Sequence, residues 1–479
     1  PYEFKARPWE LSKTDTIDAM DAVGSNIRVD ARGREVMRIL PRTHEDVNEE
    51  WISDKSRFVW DGLRTQRLDQ PYVREMGKLR PASWTEALSR VAQKMMAAGP
   101  SRTAILLGDL VSAEEAFSLK ELAMKLGINN IDCRQDGSPL GEHGGRAGYI
   151  FNSTIAGIEE ADAIILVGTN PRLEAPVLNA RIRKRVARGG CFVGVIGEKA
   201  DLTYKYNHLG AGTETLTRLA ELVPDKAQKP MIIIGQGALS RGDGAAVLAL
   251  AAKSAAAMGV VRGDWNGFNV LHTAAGRVGA LDVCALPGEG GLATGGIIAA
   301  AGKGNLDVVF LAGVDEIDMQ GLGTSFVVYM GSHGDAGAHR ADVILPGAAY
   351  TEKTGTYVNT EGRPQLALRA AFPPGDARED WAIIKALSDE LGAGLGWTTI
   401  EELRAAMYKV APQLAALNRV TRANADQLSE LSAGEGRTDK AGFASPIRDF
   451  YLTNPIARAS RIMGDCSALK SGRKMKAAE

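Results

Sequence analysis

The sequence predicts an α/β protein built of doubly wound sheets. One reason is a set of short apolar runs that end in glycine: Thr103–Gly108, Ala163–Gly168, Phe192–Gly197, Met231–Gly235, Val308–Gly313 and Phe326–Gly331. Runs of this length without a polar face suit parallel strands buried on both sides. The other reason is that helix-period segments with their own start and stop signals lie between them. Strands alternating with helices give parallel sheets joined by right-handed crossovers.

Residues 1–75 differ from the rest. They are charge-rich with short β-like pieces, and a small separate domain is expected there. Ser83-x-x-Glu86 then caps a helix whose Ala87, Leu88, Val91 and Met95 share a face. Ser112-x-x-Glu115 caps the next, with Ala116, Leu119, Leu122, Ala123 and Leu126 as its stripe and Gly127 as its stop. The run Ile164–Gly168 leads into Thr169-Asn170-Pro171-Arg172 and a basic stretch, Arg181-Ile182-Arg183-Lys184-Arg185. Such a turn sets backbone amides at the carboxyl edge of a sheet, where open α/β folds bind anions and nucleotides. A tight strand–helix connection with a solvated basic face explains the same residues, and locally it is the better reading. Gly235-x-Gly237 follows Ile232–Ile234 but lacks the full dinucleotide spacing and a convincing acidic partner. It reads as close helix–strand packing.

Asp342-Val-Ile-Leu-Pro346 continues through Ala349-Tyr350-Thr351-Glu352-Lys353 to Gly355-Thr356-Tyr357-Val358-Asn359-Thr360-Glu361-Gly362-Arg363. This is a strand, a short helical turn and an extended segment closed by glycine, with polar groups able to order a buried loop. Asp376-x-x-Glu379 opens a third helix carrying Trp381, Ile384, Leu387 and Leu391, stopped by Gly392. After about 412 the chain turns polar and ends Lys470-Ser-Gly-Arg-Lys-Met-Lys476. Residues 412–479 are expected to form a polar tail, draped on the surface or partly disordered.

At 479 residues the chain has mass for about three domains. Its 45% hydrophobic and 24% charged residues are those of an ordinary globular protein, and a net charge of −1 argues against nucleic-acid binding. Cys133, Cys191, Cys284 and Cys466 lie far apart and read as isolated reduced thiols. No apolar run nears the length of a membrane helix, and no signal sequence is visible. The chain opens at Pro1 without a Met, which suggests a fragment or a processed product. The six His show no metal spacing; His333 and His339 sit among glycines after a strand, where a structural role is the better reading than a catalytic one.

Asp18-x₂-Asp21-x₃-Ser25-x₂₇-Ser53 has the spacing of a four-cysteine iron–sulfur framework, with carboxylates and hydroxyls in place of thiols. Clusters are held by soft thiolates, and these residues cannot supply them; taken alone, the four read better as turn residues. The residues around them, Gly24-Ser-Asn-Ile-Arg-Val29, Glu35-Val-Met-Arg-Ile39 and Trp51-Ile-Ser-Asp-Lys-Ser-Arg-Phe58, resemble the N-terminal cluster domain of the molybdopterin-containing oxidoreductases, the formate dehydrogenase type. The 342–363 stretch resembles that family's signature. More closely, Ala6-Arg-Pro-Trp-Glu10, Met20-Asp-Ala-Val-Gly-Ser-Asn26, Met37-Arg-Ile-Leu-Pro-Arg42, Asn48-Glu-Glu-Trp-Ile-Ser-Asp-Lys55, Gly168-Thr-Asn-Pro-Arg172, Asp201-Leu-Thr-Tyr204 and Leu345-Pro-Gly-Ala-Ala-Tyr-Thr-Glu-Lys353 resemble the large iron–sulfur subunit of the peripheral arm of complex I, the NADH:quinone oxidoreductase. The likeness runs from the first residues to about Ala459.

This resemblance implies two doubly wound Rossmann-like units with interleaved segments, 76–135 plus 305–400 and 140–300, preceded by a β-rich, cysteine-free remnant of a 4Fe-4S domain in 1–75. It implies no catalytic, cofactor-binding or metal-binding residue, with Asp18, Asp21, Ser25 and Ser53 as lost cluster positions. Cys133-Arg-Gln-Asp136-Gly137-Ser138 stands near where active relatives place a metal-binding Cys or selenocysteine, so Cys133 and Ser138 stay open as ligands. The 2Fe-2S and 4Fe-4S clusters are expected in an N-terminal ferredoxin-like domain missing from this chain, and FMN in a partner subunit. The implied role is a structural, non-redox part of an enzyme that passes electrons from NADH to quinone and translocates protons. Its partners are other peripheral-arm subunits. Its place is the cytoplasmic side of a bacterial inner membrane, or the matrix side in mitochondria. The alternative is an active molybdopterin oxidoreductase; a third reading is a free-standing binding module using the sheet-edge crevice.

Overall fold

The computed structural model describes residues 5–224 and 226–472. Pro1 and the basic end Arg473–Lys476 lie outside the described residues.

Strands β1 (Ser12–Ile17), β2 (Asn26–Arg32) and β3 (Glu35–Pro41) form a small antiparallel sheet. Ile17, Ile27, Val29, Val36 and Ile39 of this sheet pack with Val59, Trp60 and Leu63. A hairpin follows, β4 (Tyr72–Glu75) and β5 (Lys78–Pro81), then β6 (Thr103–Leu107) and β7 (Asn130–Asp132).

The chain then leaves to build a second sheet. It lays down β8 (Ala163–Val167), β9 (Phe192–Ile196), β10 (Asn207–Gly210) and β11 (Pro230–Ile234). A short ribbon, β12 (Val261–Arg262) and β13 (Trp265–Asn266), precedes β14 (Phe268–Val270). The order is β10-β9-β8-β11-β14, all parallel. The chain returns with β15 (Val308–Ala312), β16 (Phe326–Gly331) and β17 (Val343–Pro346). These join the earlier strands in a seven-stranded sheet ordered β5-β4-β17-β16-β15-β6-β7. The strands from β17 to β7 are parallel, and β4 is antiparallel to both neighbours. The boundary expected at 75/76 falls inside the β4–β5 hairpin, which belongs to this sheet. A last hairpin, β18 (Gly355–Val358) with β19 (Pro364–Ala367), lies apart from both.

Every residue of β6, β8, β11 and β15 is buried, as expected of strands covered on both faces. The helices Trp84–Ala98 and Ala113–Leu126 start where the sequence places them. Ser83 and Ser112 accept the backbone N–H of Glu86 and Glu115 through their hydroxyls. Gly127 ends the second in the left-handed conformation, φ +74°.

Two expectations need correction. The third helix begins at Asp380, with Glu379 as its N-cap residue, and not at Asp376. The amides of Asp376 and Arg378 are already committed to the carbonyls of Asp69 and Pro346, so that backbone cannot enter a helix. The segment after 412 is also no loose tail. Its Leu414, Leu431, Phe443, Ile456 and Met463 are buried. They are spaced too irregularly to show a helical or strand period; Leu414, Leu431 and Phe443 join the main core, and Ile456 and Met463 the core under the small sheet.

Candidate functional site

The four cluster positions do converge. The β1–β2 loop closes with the Asp18 amide on the Ser25 carbonyl at 2.9 Å. Ser53 caps the short helix Asp54–Phe58; its hydroxyl accepts the Ser56 amide at 3.0 Å and lies 2.8 Å from the Ser56 hydroxyl. Ser56 in turn donates its hydroxyl to the Asp18 carboxylate. Asp21 accepts the Val23 amide at 2.9 Å. All four side chains are buried.

Sequence reasoning missed the fifth member, Lys55, which is also buried. Its ammonium donates to Thr453 Oγ1 at 2.7 Å and sits 5.1 Å from the centre of the Phe450 ring. Burial raises the Asp18 pKa to about 7, with the Asp21 charge adding to the rise and the Ser56 bond opposing it. Burial also raises Asp21, and lowers Lys55 against the pull of the two carboxylates. The physical content is one ammonium serving two carboxylates in a dry setting. An iron–sulfur cluster does not fit these residues: the donors are hard oxygens, two of them already hydrogen-bonded together through Ser56.

The carboxyl edge of the five-stranded sheet is closed by the chain itself. Gly168 adopts φ +56°, and a Cβ there would meet Ala238. Thr169 donates its hydroxyl to Glu174 at 2.6 Å, and the Asn170 amide donates to Glu174 at 2.8 Å. The turn that could hold an external anion thus holds an internal carboxylate. Over it runs the segment 441–445. Phe443 donates its amide to the Ala211 carbonyl and accepts from the Glu198 amide. Ser445 donates its hydroxyl to Glu174 at 2.7 Å. A Cβ on Gly237 would lie 2.1 Å from the Ala444 carbonyl oxygen, so that glycine permits a close backbone approach.

Cys133 lies just past β7 and is buried, and burial pushes its thiol up to about 12, leaving it protonated. Ser138 accepts from Arg277 Nη1 at 3.3 Å. Neither residue offers a thiolate to a soft metal. His333 engages both ring nitrogens, with the Gly62 carbonyl and the Ser332 hydroxyl, each at 2.9 Å; burial drops its pKa to about 3. His339 is exposed.

The 342–363 stretch is a structural hub. Glu352 pairs bidentately with Arg67, and Lys353 lies between Glu115 (2.6 Å) and Asp380 (3.1 Å). Thr360 accepts the Phe151 amide on its carbonyl, donates its own amide to Ala22 and bonds the Val270 carbonyl through its hydroxyl. Glu361 accepts from Ile155 and Arg363, and Asn359 donates to the Val23 carbonyl. One turn therefore ties the small sheet to the five-stranded sheet.

Between the two carboxyl edges lies a cavity of about 440 Å³. Asp109, Gln135, Asp136, Glu174 and Glu316 line it, with Lys55 on the side of the small domain and residues 446–454 as its cover. Burial raises Asp109 and Glu174 and takes Glu316 to about 7. Asp136 is lowered despite its burial, by Arg277 at 2.8 Å. Gln135 and Asp136 fall in the Cys133–Ser138 run already singled out, while Asp109, Glu174 and Glu316 did not stand out in the sequence, since they follow β6, β8 and β15, strands far apart along the chain. A pterin cofactor carries phosphates, and a cleft walled by carboxylates and roofed by its own chain does not fit one.

Residues 67–390 match the molybdopterin oxidoreductase family, 11–61 the NADH-ubiquinone oxidoreductase NDSU1/NuoG-like 4Fe-4S domain, and 416–466 the C-terminal domain of the same NuoG-type component of NADH-ubiquinone oxidoreductase. The chain is 44% identical to the NADH-ubiquinone oxidoreductase 78 kDa subunit of Neurospora crassa, over 98% of this chain and 64% of that protein. It is 43% identical to the NADH dehydrogenase [ubiquinone] iron-sulfur protein 1 of Solanum tuberosum, over 98% and 63%. It is 43% identical to the NuoG-type component of the NADH-quinone oxidoreductase of Rickettsia conorii, over 99% and 69%. The chain thus spans a little under two thirds of the first two. The solved structure of acetylene hydratase from Pelobacter acetylenicus shares the fold at TM-score 0.58 and 14% identity, over 94% of this chain and 78% of that one. The expected absence of a ferredoxin-like domain gains no support here; a 4Fe-4S domain of the NuoG type lies within the chain, at 11–61. Taken with the sheets and the hub, these matches show that the chain belongs to the NuoG family of NADH-quinone oxidoreductase components, on a molybdopterin oxidoreductase fold.

Proposed function

We propose that this chain is a non-redox, supporting part of the peripheral-arm subunit of complex I. The whole enzyme would move electrons from NADH to quinone and translocate protons. The observation that carries this reading is that the protein's own oxygen and ammonium groups occupy the cluster positions, and its own chain lines and covers the sheet edge. Asp18, Asp21, Ser25 and Ser53 stand at the cluster positions, with Ser56 and Lys55 beside them, and Glu174 and the segment 441–454 stand at the sheet edge. No catalytic, cofactor-binding or metal-binding residue is assigned. Clusters and FMN would be held elsewhere in the complex. The proposed units are a small domain ending before β4, an α/β unit of β4 through residue 135 with 305–400, and a second of 140–300, with the described residues 412–472 as the segment that binds them together.

Partners would be other peripheral-arm subunits. No helix among the described residues is long and apolar enough to cross a membrane. Attachment through those subunits, on the cytoplasmic side in bacteria or the matrix side in mitochondria, fits that observation. An active formate dehydrogenase-type enzyme would need a thiolate or selenolate ligand, and Cys133 is buried and protonated. The test is elemental and cofactor analysis of the purified chain, with chaotropic extraction of membranes. The expected result is no stoichiometric iron, acid-labile sulfide, molybdenum or pterin, with release alongside peripheral-arm subunits. One pterin or four irons per chain would overturn the proposal.

A further inference from the structure

The outer face of the small sheet carries an excess of positive charge. Side chains alternate along a strand, and Ile27, Val29 and Ile39 point into the core. Arg28, Asp30 and Arg38 therefore point outward, with Asp15 opposite Arg28 and Lys13 opposite Asp30 on β1. Arg32 ends β2 and, like Lys13, is exposed. Asp30 is fully buried because two guanidiniums cover it: Arg28 bonds it at 2.8 and 3.2 Å, and Arg38 at 2.7 Å. One carboxylate thus fixes two arginines side by side, while 33% of the Arg28 side chain and 27% of the Arg38 side chain stay exposed. The other acids are engaged: Asp15 lies 3.9 Å from Arg42, and Glu35 pairs with Arg64. Arg32 donates to the Lys5 carbonyl at 2.6 Å, and among the described residues neither it nor Lys13 pairs with a carboxylate. A separate observation lies next to this face. The turn Pro8–Glu10 leads into β1 and leaves Trp9 80% exposed, although the Glu10 carboxylate fixes that turn by accepting the Arg7 amide.

We infer that the outer face of the small sheet docks an acidic protein surface, carried by another subunit of the assembly. The inference rests on the supporting role proposed above and names the chemistry of one partner. Complementary charge selects the sign: carboxylates on the partner would meet Lys13, Arg28 and Arg32. Arginine presents a planar fork that matches a carboxylate, and guanidiniums already held in place by Asp30 lose little freedom on docking. Arginine and tryptophan are also the side chains that anchor protein interfaces, which suits the exposed Trp9 at the start of β1. A polyanion such as nucleic acid or an anionic bilayer fits less well. It would meet Asp15 and Asp30, which interrupt the positive field, on a chain whose net charge is −1. A protein surface can set an acid against each cation and leave those two positions uncharged.

The test is chemical labelling of Lys13 in membranes that hold the assembled enzyme and in the isolated chain. Acetylation by an N-hydroxysuccinimide ester should modify Lys13 in the isolated chain and be lost in the assembly. A carbodiimide, which joins an amine to a carboxylate in direct contact, should link Lys13 to an Asp or Glu of another subunit, as read by mass spectrometry. The double variant Lys13→Glu, Arg32→Glu should leave the assembly at lower salt than wild type, because exposed charge pairs are screened first. Both residues are exposed, and Lys13→Glu alone decides if the double variant fails to fold by circular dichroism. Lys13 equally reactive in both settings overturns the inference. So do links confined to this chain or to second copies of it, release of the variant at the same salt as wild type, or shielding of Lys13 by phosphatidylglycerol vesicles alone, which assigns the face to lipid. Absence of the chain from peripheral-arm fractions is a different result: it overturns the supporting role and the docking together.

Discussion

Replacing Asp18 by Asn tests the account of the cluster positions. Asp18 is fully buried, and its pKa rises from 3.8 to about 7 on folding. A carboxyl whose folded pKa is raised favours the native state at low pH, where both states are protonated. That advantage is lost as pH climbs through the folded value, because the unfolded chain ionises first. Between about pH 4 and pH 7 the native state holds one more proton, so stability falls by about 1.4 kcal/mol per pH unit from this group. A shift of about three units gives a penalty on the order of 4 kcal/mol above pH 7. Asn keeps the acceptor for the Ser56 hydroxyl and removes the charge, while Asp21 stays to balance Lys55. The variant should therefore match wild type near pH 4 and exceed it by about 2–4 kcal/mol at pH 8. Hydrogen exchange of peptides covering 18–56, followed by mass spectrometry from pH 5 to 8, reads the local opening energy. A difference that does not grow with pH, or a variant less protected at pH 8 than at pH 5 relative to wild type, refutes the reasoning.

Glu174→Ala strands the donors of Asn170, Thr169 and Ser445, so the segment 441–446 should loosen by about 1–3 kcal/mol, seen as faster exchange there with little change in β15 or β16. Phe443→Ala, in the same segment, should destabilise the chain by about 3–5 kcal/mol in urea melts, since its ring is 1% exposed. Among the thiols, exposed Cys284 should react with Ellman's reagent at pH 8 within the mixing phase, while Cys133, at about 12, should react only after unfolding. Equal native rates would contradict the burial of Cys133.

Much of the architecture is local and therefore legible. Strands β6, β8, β9, β11, β15 and β16 follow from apolar runs ended by glycine, because a strand buried on both faces needs no partner residue to be recognised. Ser83 and Ser112 cap helices three residues ahead, within reach of sequence inspection. Asp18, Asp21, Ser25 and Ser53 are visible as a spacing, and the signature at 342–363 as a motif. What the sequence does not reveal is what those residues do. Lys55 finds Asp18 and Asp21 across a loop and Thr453 from the far end of the chain. Glu174 meets Ser445 across 271 residues, and Arg277 meets Asp136 across 141. The segment after 412 resembles a tail because its apolar residues follow no period, yet the tertiary structure packs each into a core. Local pattern sets which elements form. Charge compensation and hole-filling depend on residues from tens to hundreds of positions apart, and only the folded chain decides which acceptor each donor meets.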